Sequence, residues 1–171
     1  MPTETTIKYA TDFPLSVSAW DSDLASQLTA TSAIFDNSAA GYMDVTAGGF
    51  IDFTGTSAIA GDSIDIYVTA QYSDTPEDMG GAIDALLGED QLEVADVSFI
   101  RANLKLIESI ALHGTPATAI GYHWSVGGIA AYFNGILPKY FMFLMHANTA
   151  SSLAGSGTGN VNIVGITFLN T

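Results

Sequence analysis

An all-β fold, an antiparallel β-sandwich with jelly roll as the expected type, is predicted by three observations. Apolar and polar residues alternate with period two over one segment after another. Those segments are rich in β-branched and aromatic residues, and glycine-containing turns such as AAGY, TAGG, IAGD, HGTP and FNG punctuate the chain between them. Helix signals are confined to two short places: Asp21 or Ser22 caps a turn containing Leu24 and Leu28, and Asp78 precedes AIDALL. An immunoglobulin-like sandwich is the second arrangement such strands can take.

The strands follow in order. After an extended arm at residues 1–12, FPLSVSAW alternates over residues 13–20, and YMDVTAGGFIDFTG reads as strand on either side of its TAGG turn. In DSIDIYVTAQY, Ile64, Ile66, Val68 and Ala70 share one face while Ser63, Asp65, Tyr67, Thr69 and Gln71 share the other, the pattern of a half-buried strand. Further strands are expected at 97–101, 103–112, 121–126, 129–133, 140–147 and 161–168. The segment YFMFLMHA, residues 140–147, is different in kind, because its apolar run is continuous between Pro138 and the small polar NTASS. It is far short of the ~20 residues of a membrane helix and suits a central strand covered on both faces. Alternation puts Tyr140, Met142, Leu144 and His146 on one side of it, and Phe141, Phe143, Met145 and Ala147 on the other.

Length and composition narrow the function classes. A chain of 171 residues is expected to form a single domain, 1–171, and to bury roughly 70% of its unfolded surface. Cysteine is absent, which excludes thiol catalysis, disulfides and cysteine-ligated zinc. Eighteen acidic residues face four basic ones, so direct binding to a phosphate backbone is not expected. Neither a membrane span nor, in MPTETTIKYA, the basic start and apolar core of a secretory signal is expected. Charged residues are only 13% of the chain, half the usual ~25%, so much of the surface must be neutral. All the acids lie between Glu4 and Glu108; residues 109–171 carry only Lys139 and three histidines. That acid-free tract reads either as core or contact surface, or simply as the low charge of a Gly/Ser/Thr/Asn-rich β protein.

No motif carries chemistry. His113, His123 and His146 lack helical metalloprotease spacing and have no acidic neighbour in sequence, so each is read as structural. No serine sits in a G-x-S-x-G elbow. The loop AGSGTGN lacks the Lys-Ser/Thr ending of a phosphate cradle and leads into a strand, as a hairpin turn does. WDSDL and GDSID each offer two close carboxylates suited to calcium, yet neither matches an EF-hand loop and each also reads as a cap or turn. No catalytic, cofactor-binding or metal-ligating residue is assigned, and no cofactor is expected.

Two blocks nevertheless resemble the small virion structural proteins of tailed bacteriophages that decorate or cement capsids. TSAIFDNSAAGYMDVTAGGFIDFTGTSAIAGDSIDIYVTAQYSD, residues 31–74, is similar to their Ser, then Asp-Asn, strand, spacer and strand pattern. ILPKYFMFLMHANTASSLAGSGTGNVNIVGITF, residues 136–168, is similar to their closing Leu-Pro, aromatic, apolar strand, Asn-turn, hairpin and last strand. The resemblance implies a non-enzymatic decoration protein on the capsid exterior of the virion, assembled in the bacterial host cytoplasm. Its implied partners are the major capsid protein and further copies of itself, a trimer before a dimer. The alternative is a carbohydrate-binding or receptor-binding domain of a tail fibre or tip, with Trp20, Trp124, Tyr122 or Tyr132 stacking on a sugar ring.

Overall fold

The computed structural model describes residues 5–15, 28–54, 61–71, 92–93, 104–113, 120–149, 154–155 and 160–170. These form twelve strands in two antiparallel sheets. The first sheet contains β1 (Thr5–Tyr9), β2 (Phe13–Leu15), β5 (Asp44–Thr54), β9 (Ile120–Val126), β11 (Ala154–Gly155) and β12 (Asn160–Asn170). The second contains β3 (Leu28–Thr31), β4 (Phe35–Asp36), β6 (Ser63–Gln71), β7 (Leu92–Glu93), β8 (Lys105–Ala111) and β10 (Tyr140–Asn148). The all-β sandwich expected from alternation is what the chain forms.

The pairing is nested about the segment between β6 and β8. β6 pairs with β8, β5 with β9, β3 and β4 with β10, and β1 and β2 with β12, all antiparallel. β12 also pairs with β5, and β10 with β6, which closes each sheet. The acid-free tract, residues 109–171, thereby supplies β10 at the centre of the second sheet and β12 in the interior of the first.

β10 is buried along both faces, as its continuous apolar run predicts. Phe141, Phe143, Met145 and Ala147 join Val45, Ile51, Val161 and Ile163 of the opposite sheet in the main core. Met142 and Leu144 point the other way and cluster with Tyr67 and Leu104. The rings form a continuous path through the sandwich. Tyr42 stacks on Phe35 at 6.1 Å, Phe35 meets Phe141 at 5.2 Å, Phe141 lies edge-on to Phe143 at 5.9 Å, and Phe143 meets Trp124 of the other sheet at 5.8 Å.

Polar side chains repair the places where the ladders break. Between β3 and β4, the Ser32 hydroxyl accepts from the Phe143 amide (3.0 Å) and donates to the Ala33 carbonyl (2.9 Å), so the interruption leaves the central strand satisfied. The single helical turn α1 (Asn37–Ala40) is capped by Asp36, whose carboxylate accepts from the Ser38 amide at 2.7 Å. Hydrogen bonds from the Ser38 side chain and backbone, with the Lys139 charge behind them, hold the Asp36 carboxyl below its ordinary range. Because that pKa is depressed on folding, the cap contributes stability above the unfolded value and loses it as pH falls through the folded one. Asn37 then clamps the Tyr42 backbone, its Nδ2 donating to the carbonyl and its Oδ1 accepting from the amide, and the Tyr42 ring occupies the space a side chain at Gly165 would fill.

Four expectations are corrected. TAGG is not a turn: Thr46 to Gly49 run through the middle of β5, and Gly49 lets the Trp124 indole approach where a Cβ would lie 2.6 Å from its Nε1. Residues Ile129–Phe133 form a 3-10 turn rather than a strand. Gly128 and Asn134 bound it with left-handed backbones, and Asp44 accepts from the Ala130 amide at 2.8 Å. β6 is not half buried, since Asp65, Tyr67 and Thr69 on its outer face are buried too, like Ile64, Ile66 and Val68 on the inner one. Part of the expected arm, Thr5–Tyr9, is a strand paired to β12. The strand at 97–101, all of 16–20 and both short helices, apart from Leu28 which opens β3, fall outside the described residues.

Replacing Phe143, fully buried between Phe141 and Trp124, with Ala should cost about 3–5 kcal/mol. Denaturant unfolding of the two proteins measures it directly; an unchanged midpoint would contradict the role given to β10.

Candidate functional site

Three surfaces or clusters hold side chains that the core does not explain. The first is a polar row on the outer face of the second sheet. Asp65 of β6 is in register with His146 of β10 on one side and Ser109 of β8 on the other. Its carboxylate accepts from the Ser109 hydroxyl at 2.5 Å and from the Ser63 hydroxyl at 3.2 Å, while the Asn148 amide donates to Ser63 at 3.4 Å. A recess of ≈ 470 Å³ lies over this row, bordered by Tyr67, Leu104 and Leu106.

A serine, an aspartate and a histidine in one row invite comparison with a nucleophilic triad, and their order decides against it. A triad needs the imidazole between hydroxyl and carboxylate, so that it takes the hydroxyl proton. Here the aspartate is the middle member, and the serine donates to it. Two strand spacings separate Ser109 from His146, about 10 Å. The arrangement does what buried polar groups ordinarily do, joining β6 to β8 through Asp65 and to β10 through Ser63.

The second feature is a shallow groove of ≈ 580 Å³ on the outer face of the first sheet, across β5, β9 and β12. Gly48 gives it a low floor, since a Cβ there would sit 2.9 Å from the Trp124 carbonyl. Phe50 extends across the site of Gly121, whose missing side chain leaves room for the ring, and meets the exposed His123 ring at 4.8 Å. Thr46, Ser125, Asn160 and Asn162 supply hydroxyls and amides around it.

The third is apolar. Ile7 and Tyr9 of β1 stand opposite Phe168 and Ile166 of β12, and Met43 reaches the same strand through its amide bond to the Ile166 carbonyl. Ile7, Tyr9, Met43 and Phe168 are between 51% and 63% exposed. The flanking edge carries Lys8 and Pro14, which oppose addition of another strand.

The three histidines are not brought together. His113 lies exposed two residues beyond β8, with its amide donating to the Tyr122 hydroxyl; His123 faces the groove; His146 is buried in the polar row. Among the described residues no three His, Asp or Glu side chains converge, and no helix is long and apolar enough to cross a membrane. In GDSID, Asp62 and Asp65 are both buried, and the Asp62 carbonyl accepts from Leu112. Trp124 is core rather than a surface stacking residue, and Tyr122 and Tyr132 pack partly buried against that core. Trp20, WDSDL and most of AGSGTGN lie outside the described residues. Sequence alternation alone misses Phe50 and His123, because their pairing depends on the β5–β9 register.

No family model matches the chain, and no curated protein matches it.

Asp65→Ala removes the acceptor of two hydroxyls and is expected to destabilise the fold by about 1–3 kcal/mol. Ser109→Ala, which leaves Ser63 in place, should cost less. Urea titrations of both variants test the ranking, and the reverse order would show that Asp65 is not the hub of the row.

Proposed function

We propose that this protein is a non-enzymatic decoration protein of a tailed-phage capsid, docking on the outer capsid surface and stabilising it. The observation that carries the reading is the exposed apolar row Ile7, Tyr9 and Phe168 with Met43 beside it. A chain with a formal charge of −14 that leaves large apolar side chains side by side has a surface suited to a partner. Lys8 and Pro14 direct that partner to the face of the sheet rather than its edge. In the same reading the nested strand pairing is a jelly roll, and the protein self-associates, as a trimer before a dimer, around or beside this face.

Docking of this kind stabilises the shell by mass action, because a subunit that binds only the assembled lattice shifts the balance against opening. An apolar contact is only weakly sensitive to screening, unlike one made of exposed ion pairs. Mixed with capsids stripped of decoration, the protein should co-sediment at low and at high salt and raise the temperature of capsid disruption. Ile7→Asp combined with Phe168→Asp should abolish co-sedimentation while the melting temperature of the isolated protein stays near that of the parent. Undiminished binding by that double variant, or no binding by the parent at either salt, would defeat the reading.

A further inference from the structure

The groove on the outer face of the first sheet is a separate feature from the apolar row. Asn162 at its centre and Phe168 in the row are six residues apart on β12, about 20 Å along an extended strand. Its chemistry also differs. Of the residues that line it none is Asp, Glu, Lys or Arg, although the chain has 18 acids. The nearest acids on β5, Asp44 and Asp52, stand on either side of the lining segment, and Asp44 is engaged by the Val45 and Ala130 amides.

A neutral groove excludes ions as natural occupants, since it offers neither countercharge nor a metal-ligating set. What it offers is a mixed inventory. Phe50 presents an aromatic ring on a face where alternation calls for polar residues, and the ring has room only because residue 121 is glycine. His123 lies beside it at 4.8 Å with its ring tilted by 47°, so the two form an aromatic corner. Asn160 and Asn162 each bring a carbonyl acceptor and an amide donor, and Ser125 and Thr46 bring hydroxyls that serve as either. Molecules that match this set have an apolar face of C–H groups and a rim of neutral hydroxyls that both donate and accept. Neutral saccharides are that class. The open, shallow form of the groove suits one side of a sugar chain rather than a fully enclosed small molecule.

We propose that this groove binds a neutral oligosaccharide, with Phe50 stacking under one sugar ring, His123 against its edge, and Asn162 with Asn160 bonding its hydroxyls. The proposal stands independently of capsid docking, and its test separates the two. The 171-residue chain, labelled with ¹⁵N, is titrated with maltotriose, cellotriose, lactotriose and chitotriose at millimolar concentration, and with sialyllactose as the charged comparison. At least one neutral sugar is expected to shift the backbone amides of Gly48, Ser125 and Asn162 while leaving those of Ile7 and Phe168 in place, with little dependence on salt. Phe50→Ala and Asn162→Ala should each weaken that binding about tenfold. His123→Ala, at an exposed position where loss of folding is not at issue, should weaken it as well, and all three should co-sediment with stripped capsids as the parent does. No shift with any neutral sugar, shifts confined to other surfaces, preference for the sialylated sugar, or unaltered affinity in the His123 variant would each overturn the assignment.

Discussion

The double burial of β10 is the constraint on which the rest of the structure depends. A strand that is apolar on both faces cannot lie at an edge or on a one-sided sheet, so it must be flanked and covered. β3, β4 and β6 flank it, and the opposite sheet covers its Phe141, Phe143 and Met145 face. The aromatic path from Tyr42 to Trp124 then fixes the separation and relative placement of the sheets, because rings in edge or tilted contact hold preferred distances. Even the interruption between β3 and β4 answers to this strand: the Ser32 hydroxyl takes the Phe143 amide that a regular ladder would otherwise satisfy.

Covering β10 also determines where polar groups are tolerated. On its outer face the apolar cluster of Met142, Leu144, Tyr67 and Leu104 gives way to His146, beside Asp65. A buried carboxylate is costly unless its oxygens are occupied, and Ser63 and Ser109 occupy one of them. The row therefore resembles a reactive site in composition while its geometry is that of a tie between strands. Composition alone cannot separate the two, whereas the order of residues across the sheet does.

Those parts of the fold that rest on local pattern were legible in the sequence. Residues 140–147 declare a doubly buried strand, and the alternation of Ile64, Ile66 and Val68 gives the correct inward face of β6. What was hidden depends on partners distant in the chain. Thr69 and Asp65 look solvent-facing because alternation reports polarity and not coverage. Gly48 and Gly49 look like a turn because glycine pairs usually mark one, yet Gly49 is set by the indole of a strand some seventy residues later. The groove was illegible for the same reason, as its ring contact and its floor come from β5 and β9 together.

The uneven charge distribution acquires a physical meaning from the topology. Nested pairing brings the acid-free tract back across the acid-bearing first half, and its two longest strands become interior strands of the two sheets. In β10 the absence of charge is required by burial on both faces. In β12 it is required only on the inner face, where Val161 and Ile163 meet the core. Asn160, Asn162, Val164, Ile166 and Phe168 on the outer face are under no such demand, and charge would be tolerated there in a strand that merely faced water. That this face stays neutral along its length, polar over the groove and apolar beside β1, sets it apart from the ordinary solvated side of an antiparallel sheet. Among the described strands of the acid-free tract, burial accounts for the absence of charge in β10 and leaves the neutrality of this face of β12 without a packing reason.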